Sequence, residues 1–396
     1  MRDFISIIYH TVYEVASVPA LFLLSILSRL SRRKYDVGIG PEPLINNIYH
    51  KKALSLKGYR VFTFVKLIYY ITSEFDVKLF SKNRIINALK YKILYLDYLY
   101  LIFNVKSIYI YFQGGVFLYS KFLWRVEPYL LKAAGVKTVV MPYGGDIQSF
   151  DKTPNLLFKH AHSKDYPAHR YNRRRQEKKM ELWTNHASHV ISGCDWVDYM
   201  YHWDTLMVSH FSINIDLFAN IKSCPRNSNS FRILHAPNHR EIKGTQFVID
   251  AVDNLKSEGH DIELVLVEKL TNTEILELIL SVDLIIDQLI VGWYAMFAIE
   301  GMLAGKPVIC FLRNDLLNLY RSKGLISPTE PPLINVAPLN LKEELRELIL
   351  NKDKLSDYSK RGFDYVSRVH STASIGSKFD RINRSIGIHP SQQHVA

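Results

Sequence analysis

Ile233-Leu-His-Ala-Pro-Asn-His-Arg240-Glu-Ile-Lys243-Gly244 and Phe297-Ala-Ile-Glu300-Gly-Met-Leu-Ala-Gly-Lys-Pro307-Val-Ile-Cys-Phe311 are the two stretches on which the fold turns. The first reads as an apolar strand running into a polar, proline-containing turn, with Gly244 and Thr245 opening a helix. The second reads as a helix, kept thin by Gly301, Ala304 and Gly305, followed by a buried strand. They are strand ends of one parallel sheet, and doubly wound folds bind ligands at that face. Arg240 and Lys243, beside exposed helix amides, suit a diphosphate. Glu300 supplies a carboxylate that can accept from both hydroxyls of a ribose without acting as a base. In the loop between them, Trp293 and Tyr294 serve either as a stacking surface or as core.

The same pattern continues outward. Phe231–His235, Ile262–Val267, Val282–Ile286 and Pro307–Phe311 are short apolar runs without alternation, as expected of buried parallel strands. Helices are expected over Thr245–Glu258, stopped by Gly259, and over Thr273–Leu280, Leu341–Leu350 and Leu355–His370. Lys222–Asn229, with Pro225 and several Ser and Asn, is the best boundary. Before it, strands at Tyr35–Gly40, Tyr59–Val65, Lys106–Phe112, Lys137–Met141 and His189–Ser192 alternate with helices at Asn46–Lys57, Leu123–Ala134 and Asp195–Tyr201. Their ends carry Gln113-Gly114-Gly115 and Pro142-Tyr-Gly144-Gly145-Asp146. The aromatic density from Phe62 to Phe122 reads as core filling. The expected organisation is an N-terminal helix (1–34), an α/β domain (35–222), a second α/β domain (230–345), C-terminal helices (346–385) and a loose tail (386–396). The fold class is α/β, with two Rossmann-like domains.

Composition narrows the function. The chain has 396 residues, enough for two cores, and 48% hydrophobic content rules out wholesale disorder. The net charge of +12 is scattered among 38 acidic residues, so no block reads as a nucleic-acid arm and no nucleic-acid partner is expected. Cys194, Cys224 and Cys310 show neither metal spacing nor a disulfide framework, which points to a reducing compartment. His160 and His162 stand two apart and do not share a helix face, so no metal is expected there. The basic segment from Phe158 to Lys179 reads as a solvated helix and loop that can line a phosphate-rich cleft. No strand is followed by Gly-x-Gly-x-x-Gly, and Gly-x-x-x-x-Gly-Lys-Ser/Thr is absent. A classical nicotinamide dehydrogenase and a P-loop hydrolase are therefore disfavoured.

Phe4 to Ser28 is mostly apolar and is followed by Arg29, Arg32, Arg33 and Lys34. Its longest uncharged run, Val15 to Ser28, is short for a span, and the charge lies on the wrong side for a signal peptide. Three readings stay open: an interfacial helix on an anionic membrane, a true span, or a helix folded onto the body.

These residues resemble the retaining, group 1 glycosyltransferases of the GT-B fold. The likeness is clearest over Ile233–Lys243 and over Val282-Asp-Leu-Ile-Ile-Asp287 to Pro307. It implies that Arg240 and Lys243 hold a donor diphosphate and that Glu300 holds its ribose. The first glutamate of the family's pair falls at Gly292, so that carboxylate is missing. Asp287 or the backbone of Gly292–Ala295 are the local substitutes. Gly144 and Gly145 resemble the family's glycine turn, with Tyr143 where histidine is common. Asp146 beside them either contacts acceptor or sugar, or caps the next segment. The resemblance implies a nucleoside-diphosphate sugar as donor substrate, with no separate cofactor. It also implies a glycan or lipid-linked acceptor and a role in bacterial surface polysaccharide or lipopolysaccharide synthesis at the cytoplasmic face of the inner membrane. The rival readings are a non-catalytic nucleotide-sugar-binding subunit and a nucleotide-sugar epimerase.

Overall fold

The computed structural model describes residues 2–68, 74–79, 95–224 and 229–391. Part of the expected boundary (225–228), part of the aromatic stretch (69–73 and 80–94) and the end of the tail (392–396) lie outside the described residues.

Two parallel sheets are present. The first contains β1 (Tyr35–Ile39), β2 (Val61–Val65), β3 (Val77–Lys78), β4 (Val105–Tyr111), β5 (Lys137–Met141), β6 (His189–Ser192) and β7 (Thr205–Leu206), in the order β3-β2-β1-β4-β5-β6-β7. The second contains β8 (Phe231–His235), β9 (Ile262–Leu266), β10 (Leu284–Ile286), β11 (Val308–Cys310) and β12 (Ile334–Asn335), in the order β12-β11-β10-β8-β9. Around the first lie α1 (Arg2–Leu27), α2 (Asn46–Ser55), α3 (Leu96–Asn104), α4 (Glu127–Ala134), α5 (Leu156–Asp165) and α6 (His169–His186). Around the second lie α7 (Arg240–Lys243), α8 (Thr245–Ser257), α9 (Asn272–Ser281), α10 (Met296–Leu303), α11 (Asn314–Ser322), α12 (Leu341–Leu350) and α13 (Lys352–Val369); α14 (Thr372–Ser385) ends the set. Strands with both faces covered need apolar residues at every position. Val61–Val65 and Leu284–Ile286 are accordingly buried throughout.

Each sheet winds one way and then the other, and the reversal opens a crevice between the two strands flanking it. In the first sheet the reversal lies between β1 and β4, which pair from Tyr35↔Val105 to Ile39↔Tyr109. In the second it lies between β8 and β10, which pair at Ile233↔Leu284 and Leu234↔Ile285. The chain crosses between the two halves twice, and the crossings bond to each other. The Ile213 amide donates to the His370 carbonyl (2.9 Å), and the Thr372 amide donates to the Ile213 carbonyl (2.9 Å).

Several segments differ from the sequence expectation. The helix expected over Leu123–Ala134 is a single 3-10 turn (Leu123–Arg125) followed by α4, because Pro128 is tolerated only in a helix's first turn. Asp195–Tyr201 is likewise a 3-10 turn, Cys194–Asp198. α14 packs back onto α2 of the first half, where the Tyr59 hydroxyl donates to Asp380 (2.8 Å) and the Tyr109 hydroxyl to Asn383 (3.1 Å). The tail expected to be loose from residue 386 is held as far as Ser391. Ile388 is buried, and the Ser391 amide donates to Asp36 (3.1 Å).

α1 is amphipathic in the inverted sense. Glu14, Ser17, Leu21, Ser25 and Ser28 face the protein, while Ile8, Val12, Val15, Leu23, Ile26 and Leu30 are exposed. The buried Glu14 carboxylate accepts from the amides of Lys121 (3.0 Å), Phe122 and Leu123 (3.2 Å), and the Ser25 hydroxyl bonds that of Tyr98 (2.8 Å). Two of the four basic residues after the helix are also committed to the protein. Arg29 donates to the carbonyls of Ala133 (2.7 Å) and Lys132 (3.2 Å), and Arg33 to those of Gly135 (3.0 Å) and Ala134, so both cap the C-terminus of α4.

Candidate functional site

The reversal point of the second sheet brings together Arg240, Lys243, Asp287 and Glu300. β8 ends at His235, whose buried ring bonds the Ile286 carbonyl through Nδ1 (2.9 Å) and the Thr245 hydroxyl through Nε2 (3.0 Å). A carbonyl only accepts, so Nδ1 carries the proton and Nε2 accepts from Thr245. Burial keeps this ring neutral, with its pKa pushed down to about 4. His235 thereby ties the end of β8 to β10 and to the start of α8. The chain then turns through Pro237 into α7, which carries Arg240 and Lys243, and leaves it at Gly244 (φ 73°). There a Cβ would stand 3.1 Å from Leu289 Cβ, so the tight junction requires glycine.

Lys243 Nζ lies 2.6 Å from Asp287 Oδ1, with the two side chains 10% and 0% exposed. Asp287 Oδ2 also accepts from the Ala295 amide (3.2 Å), which fixes the loop between β10 and α10. Glu300, on α10, accepts from Asn272 Nδ2 (3.0 Å) and is 5% exposed. Burial pushes its pKa up to about 7; the Asn272 hydrogen bond opposes the rise and the charge of Asp287 adds to it. Lys243, Asp287 and Glu300 are therefore one electrostatic cluster. Arg240 sits at its rim, solvent-exposed, with its guanidinium bidentate on Glu268 (2.9 and 3.0 Å) just beyond β9. Arg240 and Glu300 thus touch the same 268–272 loop from opposite sides.

The remaining expected residues are placed differently. Trp293 and Tyr294 are core residues. Trp293 packs on Tyr320 (centroids 4.7 Å apart), and the Tyr294 hydroxyl bonds Tyr365 (2.7 Å) and His370 (2.8 Å), so neither ring offers a free face for stacking. Asp146 does not cap the segment that follows it but binds backward, to amides that precede it. Its carboxylate accepts from the amides of Tyr143, Gly144 and Phe112 (3.0 Å each), which clamps the glycine turn to the end of β4. Burial pushes its pKa up to about 7 against those bonds. Gly144 has φ 115°, and the Gly145 carbonyl accepts from Gln176 Nε2 (3.1 Å). Gly292, at φ 94°, lies against Arg313: a Cβ there would stand 2.5 Å from Arg313 Cδ. That guanidinium is bound by Asp198 of the first half and by Asp315. Where the resembled family carries a carboxylate, this chain has an arginine paired across the two halves.

The first half closes over this cluster. The Ile242 amide donates to Asp165 Oδ2 (2.8 Å), and Tyr166 bonds His239. Lys164 pairs with Glu241 (3.3 Å), and Asn155 Nδ2 donates to the Ile290 carbonyl (2.6 Å). Tyr49 of α2 also faces the site: burial raises its pKa, and the charge of Glu300 adds to the rise. At the reversal point of the first sheet, Lys179 donates to the carbonyls of Gln113 (2.7 Å) and Leu118 (3.0 Å). Burial, with the charge of neighbouring Arg175 adding to it, lowers its pKa to about 8. With Gly145, His169 and Gln176 these residues line a cavity of about 220 Å³. His162, considered above as a metal fragment, bonds His169 (3.0 Å).

No family model and no curated protein sequence matches the chain. Solved structures do. HepE of Anabaena, crystallised with UDP, superposes with a TM-score of 0.56 at 12% identity over 89% of this chain and 100% of its own. With UDP-glucose bound the TM-score is 0.57, over 88% and 99%. Sucrose-phosphate synthase of Thermosynechococcus elongatus gives 0.55 at 12% identity over 89% and 99%. WaaG, a glycosyltransferase involved in lipopolysaccharide biosynthesis, gives 0.52 at 12% over 87% and 98%. The fold is GT-B. In a GT-B chain, the reversal points of the two sheets face each other across the cleft, where Lys243, Asp287 and Glu300 stand on one side and Lys179 and Gly145 on the other.

Asp165, Asp198, Glu268, Asn272 and Arg313 were not singled out from the sequence. Each stands alone in an ordinary loop or helix end, and the partner that ties it to the site or across the halves is at least 28 residues away, so local spacing does not mark it; only Arg313 also has a near partner, Asp315.

Proposed function

We propose that the protein is a glycosyltransferase that uses a nucleoside-diphosphate sugar and works at a membrane surface. The observation that carries this is the Lys243–Asp287–Glu300 cluster at the reversal point of the second sheet, enclosed by the first half. Lys243 is the cation for the diphosphate, with Asp287 positioning it until phosphate arrives. Glu300 receives the ribose hydroxyls, and Arg240 adds charge at the rim. Stabilising the charge that develops on the leaving diphosphate is the main electrostatic contribution open to these groups. Retention, by front-face attack with the leaving phosphate taking the acceptor's proton, is the expected course. The acceptor is a glycan or a lipid-linked glycan bound on the side of Lys179 and Gly145. Its use in surface polysaccharide or lipopolysaccharide assembly fits a cytoplasmic enzyme attached to the inner membrane.

The inverted α1 supports the membrane part. A helix in water buries its apolar stripe, whereas α1 buries a carboxylate and two hydroxyls around Leu21 and leaves most of its apolar side chains exposed. Its middle is fastened to residues 121–123, which favours lying on a bilayer over crossing it.

A second reading, a non-catalytic nucleotide-sugar-binding subunit, is favoured by Arg313 filling the space beside Gly292. Incubation with a panel of nucleotide sugars, with and without membrane extract, separates the two. A transferase releases nucleoside diphosphate at a rate lowered by Glu300→Gln, whereas a binding subunit retains the sugar nucleotide intact. If no sugar nucleotide either binds or turns over, both readings fall.

A further inference from the structure

A cavity of about 570 Å³, distinct from the cleft, lies behind the two interdomain crossings. One wall is the edge strand β7 with Met207 and Val208, and another is the Gly324–Leu325 turn after α11. The third is α14, where Ser374, Lys378, Arg381 and Ser385 recur at helical spacing, with Arg368 at the end of α13 beside them. Three cations line the cavity, and among the described residues no carboxylate does. Arg368 alone has an ion-pair partner, Glu330, which lies outside the lining. Lys378 makes one long bond, to the Val369 carbonyl (3.4 Å). Asp380, on the same helix, is turned toward Tyr59 and Arg384. Burial, with the charges of Arg381 and Arg368 adding to it, lowers the Lys378 pKa to about 8. Folding has thus brought like charges together beside an apolar wall with no acid in the lining, Arg368 alone being paired outside it, an arrangement that an anion between them stabilises.

We propose that this cavity is a regulatory site for a small organic phosphate. The phosphate is held by Arg368, Lys378 and Arg381 with the Ser374 and Ser385 hydroxyls, and the body of the molecule lies on Leu206, Met207 and Ile382. The walls come from both halves of the molecule, and the crossings at Ile213 and His370–Thr372 lie directly beside it. A ligand that bridges these walls favours one relative placement of the halves over another and so acts on the cleft through the hinge.

The test is competitive acetylation of Lys378 in the full-length protein at about pH 8, read by peptide mass spectrometry. The probes are inorganic phosphate, pyrophosphate and a hexose 6-phosphate, each compared with chloride at equal ionic strength. An anion that raises the lysine pKa by one unit lowers its reactive neutral fraction about fivefold. We expect at least that slowing with one phosphate probe, and its loss in the folded Arg368→Ala/Arg381→Ala variant. Protection by a hexose 6-phosphate alone assigns the site to an organic phosphate, whereas equal protection by all three reduces it to a general anion site and overturns the regulatory assignment. Unchanged Lys378 labelling with every probe, or protection that persists in the double variant, overturns the site itself.

Discussion

Replacing Lys243 with methionine tests the diphosphate assignment most directly, because stability and binding then move by amounts that can be worked out separately. The ammonium and the Asp287 carboxylate are 2.6 Å apart and almost fully buried. Removing one partner of such a pair costs about 3–5 kcal/mol, since the other charge is left without compensation. Here the Ala295 amide still bonds Asp287, so the lower end of that range is expected for Lys243→Met. Binding should lose a charge-assisted contact of about 1.5–3 kcal/mol, or roughly 10- to 150-fold in Kd for a nucleoside diphosphate and little for the nucleoside alone. Asp287→Asn should behave in the opposite way. It strands the lysine and lowers Tm by more, yet removes the competitor for phosphate, so nucleoside-diphosphate affinity is kept or improved. Calorimetric titration with UDP, GDP and CDP against the matching nucleosides reads binding, and thermal unfolding reads stability. A folded Lys243→Met protein that binds its nucleoside diphosphate as tightly as the wild type refutes the role given to this lysine.

Three further outcomes follow from the same geometry. The Glu300 carboxyl, ordinarily near 4.5 and raised to about 7 by burial, must be ionised to accept ribose hydroxyls. Nucleotide affinity should therefore climb as pH rises through about 7, by up to tenfold per unit below it, and Glu300→Gln should flatten that profile in a titration series. The folded state binds this proton more tightly than the unfolded one. Thermal stability from Glu300 therefore falls as pH rises from about 4.5 to about 7, and Glu300→Gln should remove that component. Glu14→Leu leaves three amides without their acceptor and should cost about 3 kcal/mol in thermal unfolding while liposome flotation survives; Val12→Lys with Leu23→Lys should do the reverse. Gly292→Ala forces a side chain into φ 94° and against Arg313, so a loss of at least about 1–2 kcal/mol is expected by chemical denaturation.

The backbone was legible in the sequence because the middles of parallel strands buried on both faces are short apolar runs. Lys137–Met141, His189–Ser192 and Phe231–His235 needed no tertiary information. The two-residue strands Val77–Lys78, Thr205–Leu206 and Ile334–Asn335 gave no such signal, being too short to carry a period. The positions of Lys243 and Glu300 followed from strand ends, but their partners did not. Asn272 is placed beside Glu300 by the return of α9 to the sheet, a matter of topology. The burial of Trp293 and Tyr294 was equally invisible, because it depends on Tyr320 and Tyr365 arriving from helices further along the chain. The face of α1 was not legible for a physical reason: apolar residues alone do not say which side of a helix meets the protein, and the inward placement of Glu14 shows it.

The buried state of the cluster is itself a property of closure. Lys243 and Glu300 belong to the second half, yet part of their shielding comes from the first, through α5 against α7 and Tyr49 facing Glu300. If the cluster takes a sugar nucleotide as proposed, these contacts stand in its way and the halves must part. Polar bonds that resist parting include Asp165 on the Ile242 amide, Asn155 on the Ile290 carbonyl, Tyr166 on His239, Tyr320 on the Cys194 carbonyl, and the Lys164–Glu241 and Arg313–Asp198 pairs, beside an apolar core shared by both halves. Neutral hydrogen bonds of this kind contribute about 1 kcal/mol each once water is free to replace them. Arg313–Asp198 is the exception, with both side chains only 10% exposed and a cost to separation several times larger. That buried ion pair is placed beside the glycine where the resembled family has a sugar-binding carboxylate, so in this chain the corner of the site that lacks a carboxylate carries a charged link between the two halves.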